Sequence, residues 1–398
     1  MRRPGTKAIS SSERGAAVTG AALVAIRLLQ ERQWLPLALL LAVAAVYSFV
    51  RPSLRAALAF VVGVTSLVGS VLAVLDADWN GFAARQLTAF ALAGAGVALL
   101  AAAVMALRSK PAVSGGRRVA RWILTPAATL LLTYYVVVAI GAALWITSKP
   151  RTAVASFAVP HEDVSFRSAD GVRLSGWYVP PRNGAAIVLV HGGGGDREGL
   201  ELHATMLTRH GYGVLLYDER GRGQSGGRSD AFGWDWAGDV ESAVSFLEQH
   251  GVRHVGVLGL STGAEVALTS AAEDHRIAAV VADGAEARTM DDFEHQSGLD
   301  KWSSLPYWGV ATTAVHLIRD TSPPPPLDEL VGKIAPRPLL LIQSNDPAEQ
   351  ALAPVWARID GRPGVLWHVD AAHTKGLASH PAAYRRRVLG LFDRALLQ

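Results

Sequence analysis

The residues with the clearest chemical meaning lie in the segment Gly259–Gly263, which reads Gly-Leu-Ser-Thr-Gly and places Ser261 between two glycines. The segment follows the apolar run Val255–Leu258 and precedes the helix-like run Ala264–Ala272. A serine at a sharp strand-to-helix turn has a strained backbone, near which extra side chains would collide, and its hydroxyl points outward. A Gly-Ser turn without chemical meaning is the alternative, but this context favours Ser261 as a nucleophile.

A second segment, His191–Asp196, contains four consecutive glycines and follows the apolar run Ala186–Val190. An oxyanion needs unobstructed backbone N–H groups, one from the residue after the nucleophile and one from an earlier loop of this kind. We therefore predict that Thr262 and Gly193 form the oxyanion hole. A phosphate-binding loop is the alternative, but the run lacks the Lys-Ser/Thr ending of a P-loop and the glycine spacing of dinucleotide-binding proteins. His191 is predicted to brace the loop.

A serine hydroxyl is a weak nucleophile until a neighbouring base takes its proton, and two histidines late in the chain compete for that role. His373 comes soon after the apolar run Val365–Val369, whereas His380 lies further along, immediately before Pro381. The position after a predicted strand favours His373 as the base.

The carboxylate that would orient this histidine is expected after the preceding strand, where the segment Gln343–Glu349 contains two acids. Asp346 and Glu349 also fit the start of a helix, with Asp346 as the cap, Pro347 at the first position and Glu349 reaching back. We predict Asp346 as the acid because it is nearer the strand end, and Glu349 remains the alternative.

The order Ser261, acid, His373, together with the glycine run after His191, resembles the α/β-hydrolase superfamily from about Ser156 to the C-terminus. The segment Asp218–Ser225 is similar to the D-x-R-G-x-G-x-S segment of these enzymes, where its role is structural. The resemblance implies a serine hydrolase that forms an acyl-enzyme and requires no metal and no cofactor.

Two features depart from the pattern of that superfamily. The acid loop lacks the usual glycine before Asp346 and carries a second carboxylate, and Ala264 stands where many relatives have a further glycine. The first departure leaves the assignment of the acid open between the two carboxylates.

The elements that must position these residues follow a regular order from about Ala153 onward, where short apolar runs alternate with helix-like windows. This alternation predicts an α/β fold with a mostly parallel sheet covered by helices on both faces, the α/β-hydrolase sheet, over residues 151–398. An antiparallel hairpin with an Asp-Gly turn precedes it. The predicted strands are Val164–Ser168, Val172–Tyr178, Ala186–Val190, Val214–Tyr217, Val255–Leu258, Ile277–Ala282, Pro338–Ile342 and Val365–Val369, and the clearest helices are Trp236–Gln249, Glu265–Ala272 and Tyr384–Leu397.

Residues 285–330 interrupt this alternation and are predicted to form a cap-like insertion over the substrate. Their aromatic residues either line a pocket or form the small core of the insertion, and both interpretations remain open. Glu286 and Arg288, just after a predicted strand, lie at the functional end of the sheet. Contact with a polar substrate is one interpretation for them, but a solvated loop is favoured for both. The aromatic residues are Phe293, Trp302, Tyr307 and Trp308.

Residues 1–150 consist of long apolar runs with short charged connectors and predict an all-α transmembrane domain. A span needs roughly 20 mostly apolar residues. A fifth stretch, Ala16–Leu29, is shorter and contains Arg27, so the prediction is four spans or five. The four clear windows are Trp34–Val50, Leu54–Leu75, Leu87–Leu107 and Trp122–Ile146.

The basic residues predict the orientation of this domain. The connector Arg108–Arg121 contains five Lys or Arg residues and no acid. Short cytoplasmic loops are enriched in such residues. We therefore expect a multi-pass membrane protein whose hydrolase domain is extracytoplasmic.

Composition narrows the classes of function. The net charge is +4, but the basic residues are not interleaved with aromatic residues, which argues against a nucleic-acid partner. The absence of Cys excludes disulfides, thiolate metal sites and a Cys nucleophile. The expected partners are a lipid bilayer and a small-molecule ester or related acyl substrate. Peptide or thioester cleavage by the same residues is one alternative, and a non-catalytic hydrolase-like binding module is another.

Overall fold

The computed structural model describes residues 131, 133–147, 154, 157–230, 232–295 and 298–397. The chain divides into two compact units, Met1–Ala142 and Ala143–Gln398, and the sheet lies in the second. A π-helical stretch, Thr133–Val138, is followed by α1 (Ala139–Thr147).

An eight-stranded sheet with the order β1-β2-β4-β3-β5-β6-β7-β8 forms the centre of the second unit. The first two strands pair antiparallel, β2 also pairs antiparallel with β4, and every other pairing is parallel. The predicted mostly parallel sheet is therefore confirmed. The strands are β1 (Glu162–Arg167), β2 (Arg173–Val179), β3 (Ala185–Val190), β4 (Gly213–Tyr217), β5 (His254–Leu260), β6 (Ile277–Asp283), β7 (Leu339–Gln343) and β8 (Leu366–His368).

Helices follow most strands, as expected for a parallel sheet. The strands predicted from apolar runs differ from the observed ones by at most two residues at either end, because backbone pairing does not begin and end where the apolar run does. The helices are α2 (Glu201–His210), α3 (Trp236–Gln249), α4 (Thr262–Glu273), α5 (Met290–Phe293), α6 (Gly298–Arg319), α7 (Leu327–Val331), α8 (Pro347–Asp360), α9 (Gly376–Ser379) and α10 (Pro381–Leu396).

Both faces of the sheet are covered by helices, which explains why the central strands are apolar throughout. All six residues of β3 are buried. Alternate side chains of this strand enter two different apolar clusters, Val188 on one face and Ile187 on the other. The first cluster includes Trp236 of α3 and Trp356 of α8. The second includes Phe392 of α10.

The N-terminal hairpin has the register that its turn sequence predicts. Arg167 of β1 lies opposite Arg173 of β2. Gly171 in the turn has a φ of +85°, which a residue without Cβ adopts without strain. The hairpin extends the sheet at the β4 edge. Strands β3 to β8 all run parallel, so their carboxyl ends lie along the same edge of the sheet.

The described part of the segment between β6 and β7 contains three helices, and three of its aromatic residues contact one another. Phe293 stacks on Trp308 with ring centroids 5.3 Å apart, and Tyr307 meets Trp308 edge to face at 5.4 Å. Trp302, in contrast, is 72% exposed. Phe293, Tyr307 and Trp308 therefore form a small aromatic cluster, in which Phe293 is buried and the other two are half-buried.

The predicted transmembrane windows lie outside the described residues, apart from the last part of Trp122–Ile146. Within the described ranges, no helix combines the length and apolar character that a membrane crossing requires.

Candidate active site

Ser261 lies in the turn between β5 and α4, and its backbone conformation is unusual. It has a φ of 54° and a ψ of −127°, a region that residues with a side chain rarely adopt. A Cβ at Gly259 would lie 1.9 Å from the Gly263 carbonyl oxygen, and one at Gly263 would lie 2.2 Å from the Val190 carbonyl oxygen. The Ser261 N–H donates to the Asp283 carbonyl oxygen at 2.9 Å. Gly259 is needed because the turn folds back onto itself, and Gly263 is needed because the turn packs against the end of β3.

His373 is brought to this turn by the loop that follows β8. Its Nε2 lies 2.9 Å from Ser261 Oγ. Gly284, after β6, makes room for the ring, because a Cβ at Gly284 would lie 3.0 Å from His373 Cε1. The serine and the histidine, 112 residues apart in sequence, therefore form a hydrogen-bonded pair at the carboxyl end of the sheet.

Glu349 is the carboxylate that reaches the other side of the imidazole. Its Oε1 lies 2.6 Å from His373 Nδ1. Ser344 holds this carboxylate in place, since its backbone N–H donates to Oε2 at 2.6 Å and its hydroxyl donates to Oε1 at 2.7 Å. The side chain of Glu349 is 1% exposed. Three hydrogen bonds therefore compensate the loss of water around a buried charge.

Asp346, the carboxylate favoured from sequence, caps helix α8 instead. Its Oδ1 accepts from the N–H groups of Ala348 at 2.8 Å and Glu349 at 3.4 Å. The expected capping pattern is only half formed, because Glu349 does not turn back to the Asp346 N–H, which donates to Ser344 Oγ at 3.1 Å. The cap directs the first turn of α8 so that Glu349 faces His373.

The hydrogen-bond partners determine which imidazole nitrogen carries the proton. A buried carboxylate only accepts, so His373 Nδ1 donates to Glu349, and Nε2 is left to accept from Ser261 Oγ. The Glu349 hydrogen bond raises the pKa of His373 above its ordinary value, burial opposes this, and the charge of Glu286 adds to it. The ring is thus oriented and made more basic.

The glycine run after β3 lies against the nucleophile. A Cβ at Gly192 would be 3.3 Å from the Cβ of Ser261. Gly193 comes next in this loop, and Thr262 is the first residue of α4. The two residues predicted as oxyanion donors therefore belong to the two backbone segments that flank Ser261.

His191 braces the loop, as predicted. It is 1% exposed. Its Nε2 accepts from the Glu219 N–H at 3.0 Å, so Nδ1 carries the proton and donates to the Gly192 carbonyl oxygen at 2.8 Å. Burial lowers the pKa of His191. The ring therefore links the glycine loop to the end of β4 and has no contact with Ser261 among its hydrogen bonds.

The Asp218–Ser225 segment is held by its own side chains. Asp218 accepts from the backbone N–H groups of Arg197 at 3.0 Å and Gln224 at 2.8 Å. A Cβ at Gly223 would lie 2.2 Å from the Asp218 carboxylate, so only glycine allows this turn. These contacts support the structural role that the resemblance implies.

His380, the other candidate base, has a different hydrogen-bond partner from His373, and His368 was not a candidate. His380 is exposed and its Nε2 lies 2.9 Å from the Asp370 carbonyl oxygen, and His368 is an exposed residue at the end of β8.

Glu286 and Arg288, expected in a solvated loop, are placed differently. The carboxylate of Glu286 lies 3.5 Å from His373 Nδ1. Arg288 is 1% exposed, and its guanidinium donates to Thr269 Oγ1. The solvated-loop prediction was wrong for Arg288, because its charge is compensated by the buried carboxylates of Glu265 and Asp292. The position of Glu286 at the end of a parallel strand was the available sequence signal.

Glu286, Glu349 and His373 could also ligate a metal, since one atom from each lies within 4.8 Å of the other two. At 2.6 Å, His373 Nδ1 and Glu349 Oε1 are hydrogen-bonded. This hydrogen bond would have to break before both atoms could bind the same metal ion.

Comparison with known proteins agrees with this architecture. A family model described as the α/β hydrolase fold matches residues 185–323. A polyketide transferase of a Penicillium species is 33% identical over 131 residues, which is 31% of this chain and 45% of that protein. A polyketide transferase of Stachybotrys chlorohalonatus is 38% identical over 128 residues, 30% of this chain and 43% of that protein. The matched part thus covers less than half of each relative.

A solved structure of an esterase from Pyrococcus furiosus superposes with a TM-score of 0.50 at 24% identity, and covers 62% of this chain and 98% of that one. The sheet order, the turn at Ser261 and the family match together identify the second unit of this chain as an α/β-hydrolase fold.

Proposed function

We propose that the chain is a serine hydrolase that cleaves an ester or related acyl bond through an acyl-enzyme on Ser261. The observation that carries the proposal is the pair of hydrogen bonds from Ser261 Oγ to His373 and from His373 to Glu349, at 2.9 and 2.6 Å. Serine, histidine and acid in this geometry perform nucleophilic acyl transfer on several unrelated folds. Glu349 takes the role of the acid, and Asp346 caps the helix that positions it.

The reaction begins when Ser261 Oγ attacks the substrate carbonyl carbon and His373 Nε2 takes the hydroxyl proton. Thr262 and Gly193 N–H groups stabilise the negative charge on the tetrahedral intermediate. Collapse of the intermediate expels the leaving group, which receives its proton from His373. A water then attacks the acyl-enzyme with His373 again as the base, which releases the acid and restores Ser261.

Acyl transfer to an acceptor other than water is a second candidate function. It is favoured by the two relatives named as polyketide transferases, at 33% and 38% identity. The acyl-enzyme is common to both reactions, and only the second nucleophile differs. Cleavage of thioesters or peptides uses the same intermediate, because the fold does not fix the leaving group.

We further propose that the N-terminal apolar windows anchor this unit in a membrane and that the unit is extracytoplasmic. The windows are long enough to span a bilayer. The basic connector Arg108–Arg121 supports the orientation. Substrates would then be esters or acyl compounds that meet the outer side of the membrane.

Labelling of the whole chain in detergent with a fluorophosphonate probe tests the proposed chemistry. We expect covalent labelling of the native chain, loss of labelling in Ser261→Ala and in His373→Ala, and retained labelling in the matched control His380→Ala. A folded native chain that does not label would contradict the proposal and favour a non-catalytic module. Release of products from p-nitrophenyl esters, with and without added alcohols or amines, then separates hydrolysis from transfer.

A further inference from the structure

A second carboxylate faces the same imidazole nitrogen as Glu349. Glu286 Oε1 lies 3.5 Å from His373 Nδ1, and Glu349 Oε1 lies 2.6 Å from it. The side chain of Glu349 is 1% exposed, whereas that of Glu286 is 37% exposed. Glu286 thus approaches the ring from the more open side of the site.

The position of Glu286 is fixed by its backbone. Its N–H donates to Glu265 Oε1 at 2.9 Å, and Glu265 lies in the first turn of α4, the helix that starts after Ser261. Two residues earlier, Gly284 packs against the His373 ring. The loop that carries Glu286 is therefore attached both to the nucleophile helix and to the base.

Among the charged groups around Glu286, the imidazole of His373 is the one that favours the ionised carboxylate. Within the described ranges, His373 is its ion-pair partner. The neighbouring carboxylates of Glu349 and Asp346 repel it, and burial together with that repulsion raises the pKa of Glu286, while His373 lowers it. Two further acids lie nearby, Asp283 at the end of β6 and Glu265 on α4, and the buried guanidinium of Arg288 compensates Glu265.

We propose that Glu286 is a second carboxylate partner of His373, a positioning residue that helps to stabilise the imidazolium and accepts the Nδ1 hydrogen bond when Glu349 is removed. This inference rests on the proposed function of Ser261 and His373. During acylation the Ser261 proton moves to Nε2, the Nδ1 proton stays on the ring, and no proton moves to Glu286. Both carboxylates act on the positive charge that the ring acquires.

The rate constant for fluorophosphonate labelling of Ser261 measures this effect without knowledge of the natural substrate. In Glu286→Gln we expect a roughly five- to tenfold lower rate at neutral pH and a shift of the acidic limb of the pH–rate profile by about 0.5–1 unit to lower pH, because a negative charge near His373 is lost. Glu286→Asp should restore part of both. Glu294→Gln, an exposed acid of the same segment, is the matched control and should leave rate and profile unchanged.

The double variant tests whether Glu286 replaces Glu349. In Glu349→Gln the amide oxygen can still accept from the Ser344 N–H, but the amide NH2 then faces His373 Nδ1. A donor at this position favours the tautomer with the proton on Nε2, which cannot accept from Ser261. With Glu286 present we expect a loss of about 10²-fold, and in Glu286→Gln/Glu349→Gln a loss near the roughly 10⁴-fold cost of removing a triad acid. EDTA in the assay removes any effect of a metal bound by the same groups.

Two results would overturn the inference alone: a Glu286→Gln profile identical to that of the native chain, or a double variant no slower than Glu349→Gln. Circular dichroism and melting temperature establish that each variant is folded. Labelling that persists in Ser261→Ala would instead overturn the proposed function itself, and with it the role of Glu286.

Discussion

His373 Nδ1 lies 2.6 Å from Oε1 of Glu349, which occupies the third position of a helix capped by Asp346. The carboxylates of Asp346 and Glu349 are three residues apart and have different roles. Glu349 is buried and bonded to the imidazole and to Ser344. The Asp346 carboxylate accepts from the backbone N–H groups of Ala348 and Glu349 at the start of its own helix. The helix cap thus sets the direction of the carboxylate that meets the base.

The first prediction follows from this division of roles. Asp346→Ala should cost about 1 kcal/mol of stability, since it removes a helix cap. It should leave the labelling rate of folded protein within about threefold, because the two hydrogen bonds from Ser344 still hold the Glu349 carboxylate. Glu349→Gln should lower that rate by about 10²-fold or more, since it disturbs the tautomer of His373. Melting curves and labelling kinetics measure the two effects separately. A larger loss of rate in Asp346→Ala than in Glu349→Gln would return the acid role to Asp346.

The second prediction concerns pH. Only the neutral imidazole accepts the Ser261 proton, so activity falls as the pH drops through the pKa of His373. The hydrogen bond from Glu349 raises that pKa above its ordinary value of 6.5. The acidic limb of the labelling rate should therefore have its midpoint above pH 6.5, and Glu349→Gln should move it lower. A midpoint below pH 6 in the native chain would contradict the arrangement of charges around His373.

Local sequence patterns predicted the sheet well. Each strand that later borders the site is a short apolar run followed by a glycine or polar turn, and the Ser261 motif lies between β5 and α4 as expected. Burial on both faces makes such strands apolar throughout, and this pattern is visible without any tertiary information.

The carboxylate that partners His373 could not be assigned from local sequence patterns. Distance along the chain from β7 favoured Asp346. The assignment depends, however, on the direction in which the first turn of α8 points Glu349, and on the position of the loop that carries His373, 24 residues later. The approach of Glu286 to His373 depends similarly on the pairing of β6 beside β7, and on the bond to Glu265. Local sequence places Glu286 and Glu349 at the functional end of the sheet, but it does not show which carboxylate contacts His373.

The third prediction concerns the glycines of the nucleophile turn. Gly263→Ala would place a Cβ 2.2 Å from the Val190 carbonyl oxygen, where backbone must move. We expect loss of labelling and a melting temperature lower by several degrees. The matched control is Gly238→Ala on the exposed side of α3, where a Cβ meets nothing within 4 Å. It should stabilise the chain by about 0.5–1 kcal/mol. Equal melting temperatures for the two variants would contradict the close packing at Gly263.

The fourth prediction concerns Asp283, a buried carboxyl at the end of β6 whose Oδ2 accepts from Tyr384 OH at 2.8 Å. Burial raises the pKa of Asp283 to about 7. In the unfolded chain this group ionises near its ordinary value of 3.8. The folded state therefore holds a proton that the unfolded state releases, and stability contributed by the neutral group is lost as the pH rises from about 4 to about 7.

Asp283→Asn keeps an acceptor for Tyr384 and cannot ionise. Its melting temperature should exceed that of the native chain at pH 8 by more than at pH 4, with a difference that grows between these values. Tyr384→Phe, which removes the donor, is the companion variant and should lower the stability at both pH values. An Asp283→Asn difference that is constant from pH 4 to pH 8 would show that Asp283 does not titrate in this window.

The last prediction concerns the side of the membrane on which the proposed hydrolase works. Each Lys or Arg at a helix centre costs about 2.5–3.5 kcal/mol, and such residues in short connectors favour the cytoplasmic face, so the connector Arg108–Arg121 should lie inside and the unit that follows should lie outside. The chain has no Cys, so a single introduced Cys is a unique label. Ser379→Cys, at an exposed position, should react with a membrane-impermeant thiol reagent on intact cells, whereas Ser114→Cys should react only after the membrane is broken. The reverse pattern would invert the orientation and direct the search for substrates to the cytoplasm.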